Sequence, residues 1–483
     1  MDQQFRPVQR VPQGVIADPS SGGPVASGGV GPPLAATPVA LETAHLITGL
    51  GARSLRAGAI VLTAQGAKLG LQVASMVLLA RLLTPADFGL VAMVSALTGV
   101  IGLFGDLGLP SVIMQRAQIT QAQFSTLFWL NLGFGLLLTL TVVLSAPLIA
   151  WVYSDPRLTG IALLGAPLFL VGGAGAQYRA LLQRQMQFRA LMLTDILGLA
   201  LSVLVGLVMA WRGLGYWSLV VMPIVQAMVQ LLGLALISDW RPGRPVRGCG
   251  VRPLLRFGGN LLGVTLFGYL SRQLDRIGVG VLYGPVSLGY YTRGYQLFTL
   301  PTSQISAPLH DVIVPTLSRL NADQGRFQVT FGRILSALTW FSAALAVAAL
   351  LWTQQIVGIV FGPQWNPVVE VLRNLSPTLA LQPVLAAAGW AFISRGEGAR
   401  YRHWALGSAL IQGLAILAGL PLGIAAVALA TSLSTWCLTL PWTLRCLRRA
   451  SPDLGRATLW AVGPPLLVVV AVLAIALSIG QDP

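Results

Sequence analysis

Apolar residues run along the chain in blocks of about twenty, broken by short polar clusters, and the pattern holds over most of its length. Twenty helical residues cover ~30 Å of hydrocarbon. Blocks this long without strict alternation leave helices as the way to satisfy the backbone in lipid. The pattern predicts thirteen spans, at about 59–80, 88–109, 125–147, 158–174, 190–210, 214–237, 254–277, 287–308, 332–352, 368–392, 403–420, 422–443 and 457–479. The expected fold class is an all-α polytopic membrane protein.

The polar punctuation repeats. ARLLTPADFGLVAMVSAL at 80–97 returns 200 positions later as GVLYGPVSLGYYTRGYQL, with Leu82, Pro85, Gly89 and Leu97 matched by Leu282, Pro285, Gly289 and Leu297. Within the first copy Thr84 can cap a helix, Pro85 suits its first position and Asp87 sits where a capping box wants a carboxylate. GLGYWSLV at 213–220 is matched by PLGIAAVA at 421–428, pairing Gly215 with Gly423. Spans one to six thus resemble spans seven to twelve. An even number of spans per half makes the repeat parallel, a transporter layout in which two six-helix lobes flank a central cavity. The expected divisions are a disordered cytoplasmic tail at 1–54, an N-lobe at 55–240, an inter-lobe cytoplasmic linker at 241–253, a C-lobe at 254–446 and an extra C-terminal helix in 447–483.

Composition sharpens the picture. Of 483 residues 55% are hydrophobic and 10% charged, yet the net charge is +16. With the N-terminus inside, twenty-three of the 31 basic residues fall in inner segments and four, Arg81, Arg157, Arg212 and Arg276, in outer loops. The positive-inside rule therefore predicts a cytoplasmic N-terminus. Basicity then reflects topology and anionic lipid headgroups, so nucleic acid is not an expected partner. Residues 1 to about 50, rich in Pro, Gly, Ser and Ala, lack the apolar periodicity of a packed segment. The three cysteines and three histidines have no metal or redox spacing, and neither metal nor cofactor is expected.

Charges inside spans are costly and usually face a bundle interior or an aqueous cavity. Span one carries Gln65, Lys68, Gln72 and Ser75 on one helix face, and Lys68 is the only lysine in the chain. Span seven carries Thr265, Tyr269, Arg272, Asp275 and Arg276, and span eight adds Tyr290, Arg293 and Gln296. Arg293 stands where the first repeat has Met93. These stripes are expected to form a cationic, hydrogen-bonding cavity wall. The residues leave open that Arg272 and Asp275 form a structural i, i+3 ion pair and that Arg276 snorkels to the outer interface. Asp106 and Asp195, near inner helix ends, are expected to pair with loop arginines. Tryptophans near span ends, among them Trp151, Trp211, Trp240, Trp352, Trp365 and Trp460, read as an interfacial belt. YRALLQRQMQFRAL at 178–191 has the composition of a segment lying along the inner leaflet.

No P-loop, dinucleotide fingerprint or nucleophile elbow is present, and the expectation is a protein that is not an enzyme. A membrane glycosyltransferase would want a sizeable outer loop, and the outer loops here are short.

The run RLLTPADFGLVAMVSALTGVIGLFGDLGLPSVIMQRAQITQAQFSTLFWLNLGFG at 81–135 resembles the polysaccharide-export family of Wzx-type oligosaccharide flippases, near the colanic-acid exporter. RALLQRQMQFRAL, LLRFGGNLLG, SRQLDRIGVGVLYGPVSLGYY and FGPQW add to the similarity, which covers about 55–450. The resemblance implies alternating access that moves an undecaprenyl-pyrophosphate-linked glycan across the bacterial inner membrane, for exopolysaccharide, O-antigen or capsule biosynthesis. It implies charged cavity residues, for which Lys68, Arg272, Asp275 and Arg293 are the matching positions. H+ or Na+ as coupling ion stays open, and a polymerase and other polysaccharide-assembly proteins are the candidate partners besides the lipid bilayer. Many members have fourteen spans where this chain reads as thirteen. The alternatives from the same superfamily are a cation-coupled multidrug exporter and a peptidoglycan-precursor flippase. A drug exporter would line its cavity with carboxylates and aromatics, whereas this pattern offers more arginine than acid.

Overall fold

The computed structural model describes residues 50–102, 120–246 and 252–479, with side chains described at 63–102, 120–246, 269, 273–300, 309–310 and 312–474. Residues 1–49 of the predicted tail, Asp106 and residues 247–251 of the inter-lobe linker therefore lie outside the described residues, as do the side chains of Thr265 and Arg272, while residues 50–54, expected in the tail, already belong to helix. The described chain is helical, without a strand. Its helices are α1 Leu50–Leu82, α2 Pro85–Gly102, α3 Gln121–Tyr153, α4 Arg157–Gly165, α5 Pro167–Arg184, α6 Phe188–Trp211, α7 Tyr216–Ile237, α8 Arg252–Arg319, α9 Gln324–Leu351, α10 Thr353–Val360, α11 Pro367–Leu379, α12 Gln382–Ser394, α13 Gly398–Gly419, α14 Ile424–Ser434, α15 Leu440–Ala450 and α16 Pro452–Ile479.

Among the described residues each predicted span lies on helix, with short breaks such as those at Ala166 and at 380–381. Among the described residues nine helical segments are long and apolar enough to cross a membrane, or ten if α11 and α12, bent by 43°, count as one. The chain is a multi-pass membrane protein. One predicted break is subtler than expected, because α8 runs through two spans and bends at Gly284, whose φ of 74° and ψ of −174° suit a residue without Cβ. This divides α8 into a first arm, 252–283, and a second, 285–319. Gly284 thereby does in the second repeat what Thr84 does in the first. There, Thr84 N and Oγ1 donate to the Asp87 carboxylate at 2.9 and 2.6 Å, and the cap starts α2 at Pro85 as predicted. Gly215 and Gly423, matched in sequence, precede α7 and α14 with φ of 53° and 109°.

The two punctuation motifs pack on each other. α2 crosses the second arm of α8 so closely that a Cβ on Gly89 would lie 1.7 Å from the Pro285 carbonyl oxygen, and one on Gly289 would lie 1.9 Å from that of Pro85. The repeated glycines are what permits this crossing, the seam at the Pro85 end of the bundle. The end of α10 and the segment after it reinforce the seam. The last carbonyls of α1 have no partner within their own helix. Ala80 O accepts from Trp365 Nε1 at 2.8 Å and Gln364 Nε2 at 2.7 Å, and Arg81 donates to Ile359 O at 2.7 Å.

Two features depart from expectation. Trp365 is fully buried against Phe88 and Phe361, and Trp240 is buried in a cluster with Phe124, Phe128 and Tyr178. Both indole N–H groups find acceptors inside the protein, Ala80 O and Gln121 Oε1, so these rings serve packing where Trp151, Trp211 and Trp460 stay exposed. The 178–191 stretch does not lie flat on a leaflet. It is the end of α5, a tight turn through Met186 (φ 55°) and the start of α6, and its Tyr178, Leu181, Leu182 and Leu191 spend their apolar surface on the Trp240 cluster.

Candidate functional site: an arginine-bearing cavity below the seam

A cavity of about 630 Å³ lies beside the seam, on the side away from Pro85. α1 lines it with Gln72, Ser75, Met76 and Leu79, just before the carbonyls that bind the 359–365 segment. α2 contributes Phe88 and Ser95, α6 Ser202, and α7 Gln226. The first arm of α8 supplies Arg276, and the second supplies Thr292, Arg293, Gln296 and Thr299 at helical spacing. The lining includes two arginines and, among the described residues, no carboxylate.

Arg293 spans the seam. Its guanidinium carbon lies 3.8 Å from the Phe88 ring centroid, and its Nη1 donates to Gln296 Oε1. The other edge of Phe88 meets Trp365 at 5.4 Å. A cation stacked on an aromatic face keeps its N–H edge free to bind an anion. Arg276 donates from Nη1 to Gln273 Oε1 at 3.1 Å and lies 5.7 Å from the Tyr295 ring. Its Nε is buried and has no hydrogen-bond partner among the described residues.

The predicted stripes divide. Gln72, Arg293 and Gln296 come together on the cavity wall, with Arg276. Gln65 and Lys68 sit earlier on α1, and Lys68 Nζ bonds Asp195 Oδ2 at 2.6 Å. Asp195 also accepts from Arg179, the loop-end arginine its position suggested. Asp275 is buried and accepts from Tyr291 at 2.9 Å and from the Arg276 amide at 2.8 Å, so it ties the two arms of α8 together. Tyr290 packs its ring against Trp365 at 5.9 Å, and Tyr269 lies beside Gly99. Ser95, Ser202, Gln226, Thr292 and Thr299 had no place in the sequence argument, since uncharged polar residues inside or beside apolar runs carry no signature of their own. The only signal they carry is helical spacing.

The family model described as polysaccharide biosynthesis protein matches residues 78–370. Lipopolysaccharide biosynthesis protein WzxC of Escherichia coli (strain K12) is 26% identical over 313 residues, 64% of this chain and 63% of that protein. The match thus spans just under two thirds of that relative's length. Teichuronic acid biosynthesis protein TuaB of Bacillus subtilis (strain 168) is 26% identical over 366 residues, 73% of this chain and 74% of the relative. Succinoglycan biosynthesis transport protein ExoT of Rhizobium meliloti (strain 1021) is 24% identical over 344 residues, 70% and 68% of the two chains. Among solved structures, lipid II flippase MurJ in an inward closed conformation superposes with a TM-score of 0.66 at 14% identity, covering 88% of this chain and 98% of that one. A multidrug resistance MATE family transporter of the MOP superfamily, inward-facing, gives 0.60 at 14% identity, covering 80% and 95%. Those two likenesses establish the fold as that of these transporters. Because the family model matches more than half of the chain, the protein belongs to the polysaccharide biosynthesis protein family.

Proposed function

We propose that the protein is a flippase for an undecaprenyl-pyrophosphate-linked oligosaccharide, carrying the head from the inner to the outer leaflet of the bacterial inner membrane by alternating access. The observation that carries this reading is the cavity wall, with two arginines, several amide and hydroxyl groups and no carboxylate among its described residues. A pyrophosphate is anionic and a sugar presents hydroxyls, so guanidinium forks and neutral donors suit both. A cationic drug would want acids in the same place. The names of WzxC, TuaB and ExoT, all tied to polysaccharide or polymer assembly, support the substrate class. The halves 55–240 and 254–446 act as the moving lobes, the N-terminus is cytoplasmic, and the Pro85 end faces outward. The protein transports its substrate and catalyses no reaction on it.

Complementation of a flippase-null strain tests this, with membrane abundance measured alongside. Arg293→Ala and Arg276→Ala are expected to abolish or strongly weaken glycan export at near-normal abundance. Arg293→Lys is expected to restore part of it, because the charge remains but the planar fork is lost. Normal export by both alanine variants would refute the cationic-cavity mechanism.

A further inference from the structure

Three of the four helices that line the first-half side of the cavity, α1, α6 and α7, also converge on a second cluster. Gln72 of α1, Leu199 of α6 and Gln226 of α7 line the cavity. Lys68, Asp195 and Gln230 lie four residues farther from the seam on those same helices, about one turn or ~5.4 Å deeper. Gly198 lets α7 approach α6 here, since a Cβ on it would meet Gln226 O at 3.1 Å and the Gln230 side chain at 3.2 Å.

Asp195 takes three donors, one from each of three helices. Its Oδ2 takes Lys68 Nζ at 2.6 Å, and its Oδ1 takes Arg179 Nη2 together with Gln230 Nε2 at 3.2 Å. Its side chain is 5% exposed, whereas those of Lys68 and Arg179 are 19% and 37% exposed. Two cations therefore share one carboxylate, leaving a net positive charge, and it is the cations that carry the exposed surface of the cluster. An ammonium, a guanidinium and an amide N–H aimed at one pair of oxygens form the donor set that a phosphate or diphosphate would also engage.

We propose that Lys68, Arg179 and Gln230 form an anion station at the end of the cavity away from the seam, that its ligand is the diphosphate of a carrier lipid, and that Asp195 holds the station as an internal stand-in until that group displaces it. The identity of the lipid rests on the flippase reading, while the station itself rests on the geometry. The carboxylate keeps both cations paired in an empty transporter, where bare charge in a low-dielectric wall would be costly. It also sets a threshold, because a single tetrahedral anion competes poorly with a carboxylate already in place whereas a diphosphate brings more charge and more oxygens.

The test uses the full-length protein in detergent with inorganic pyrophosphate, and sulfate at matched ionic strength as control. Lys68 is the only lysine, so reductive 13C-methylation, which keeps its charge, yields a single side-chain NMR signal. Pyrophosphate is expected to move that signal saturably and sulfate to move it far less. Asp195→Asn is expected to bind pyrophosphate about tenfold tighter, the order of one charge-assisted contact no longer competing. Arg179→Gln, which keeps the Lys68 signal, is expected to weaken binding by a similar factor. Equal shifts with sulfate, or a Lys68 signal unmoved at high pyrophosphate, would overturn the station even if the Asp195 variant does not fold. A folded Asp195→Asn protein with unchanged or weaker affinity would overturn the stand-in role. Undecaprenyl pyrophosphate in the same detergent is expected to move the Lys68 signal at lower concentration than inorganic pyrophosphate, and failure to do so would overturn the carrier-lipid assignment. If the station behaves as stated but the wild-type chain restores no glycan export in the null strain, the flippase reading fails by itself. Restored export with an unmoved Lys68 signal removes the station alone.

Discussion

Gly89 rests against the carbonyl of Pro285 with no room for a side-chain carbon, and the contact is returned at the repeat-related pair, where Gly289 rests against Pro85. The motif thus recurs because the two copies are each other's binding surfaces. A backbone carbonyl cannot step aside as a flexible side chain can, so the crossing sets how near α2 and the second arm of α8 can lie.

Gly89→Ala and Gly289→Ala are accordingly expected to destabilise the protein by ~1–3 kcal/mol through overpacking, lowering the thermal midpoint in detergent. Gly133→Ala is the control, since nothing lies within 4 Å of a Cβ placed there. Equal midpoints for all three variants would show that the crossing is loose.

Trp365→Phe keeps the buried ring but removes the N–H that Ala80 O accepts. Gln364 Nε2 still reaches the same carbonyl, so the expected loss lies at the lower end of the ~1–3 kcal/mol for an unsatisfied buried group. Combining it with Gln364→Leu should cost more than the sum of the two single changes. Strict additivity of the midpoints would contradict the shared acceptor.

Asp155, in the turn between α3 and α4, accepts from Arg157 Nη2 at 2.7 Å, and the guanidinium holds its carboxyl below the usual aspartate range. A folded pKa below the unfolded value means that the stabilisation is complete above the unfolded value of about 3.9 and is lost as the pH falls through the folded one. The pair is partly solvent-screened and is worth roughly 0–1 kcal/mol. Asp155→Asn should therefore show a slightly lower midpoint at pH 7, with a gap that closes only in acid. A gap that closed on raising the pH instead would contradict this sign.

Topology is open to impermeant thiol labelling in a background with Cys249, Cys437 and Cys446 changed to serine. Thr84→Cys should label in intact cells and Arg247→Cys only after lysis. The reverse pattern would invert the proposed orientation and place the seam on the inner face.

Sequence alone determined what is local and one-dimensional. Run length against membrane thickness set where helices lie, and Thr84, Pro85 and Asp87 fixed a helix start through a cap that closes within four residues. Spacing by threes and fours placed Lys68, Gln72 and Ser75 on one face, and it placed Arg293 and Gln296 on another.

What each face meets was decided only by tertiary packing, because a helix's rotation about its axis is set by its neighbours. One stripe on α1 therefore splits, with Gln72 and Ser75 on the cavity and Lys68 bonded to Asp195, 127 residues away. Asp275, three residues from Arg272 in sequence, bonds Tyr291 across the Gly284 bend. Trp240 and Trp365 stand at span ends like their exposed counterparts, yet neighbouring aromatic rings and waiting acceptors bury them. Such partners lie far along the chain, and no local pattern encodes which of several amphipathic faces a helix will turn toward them.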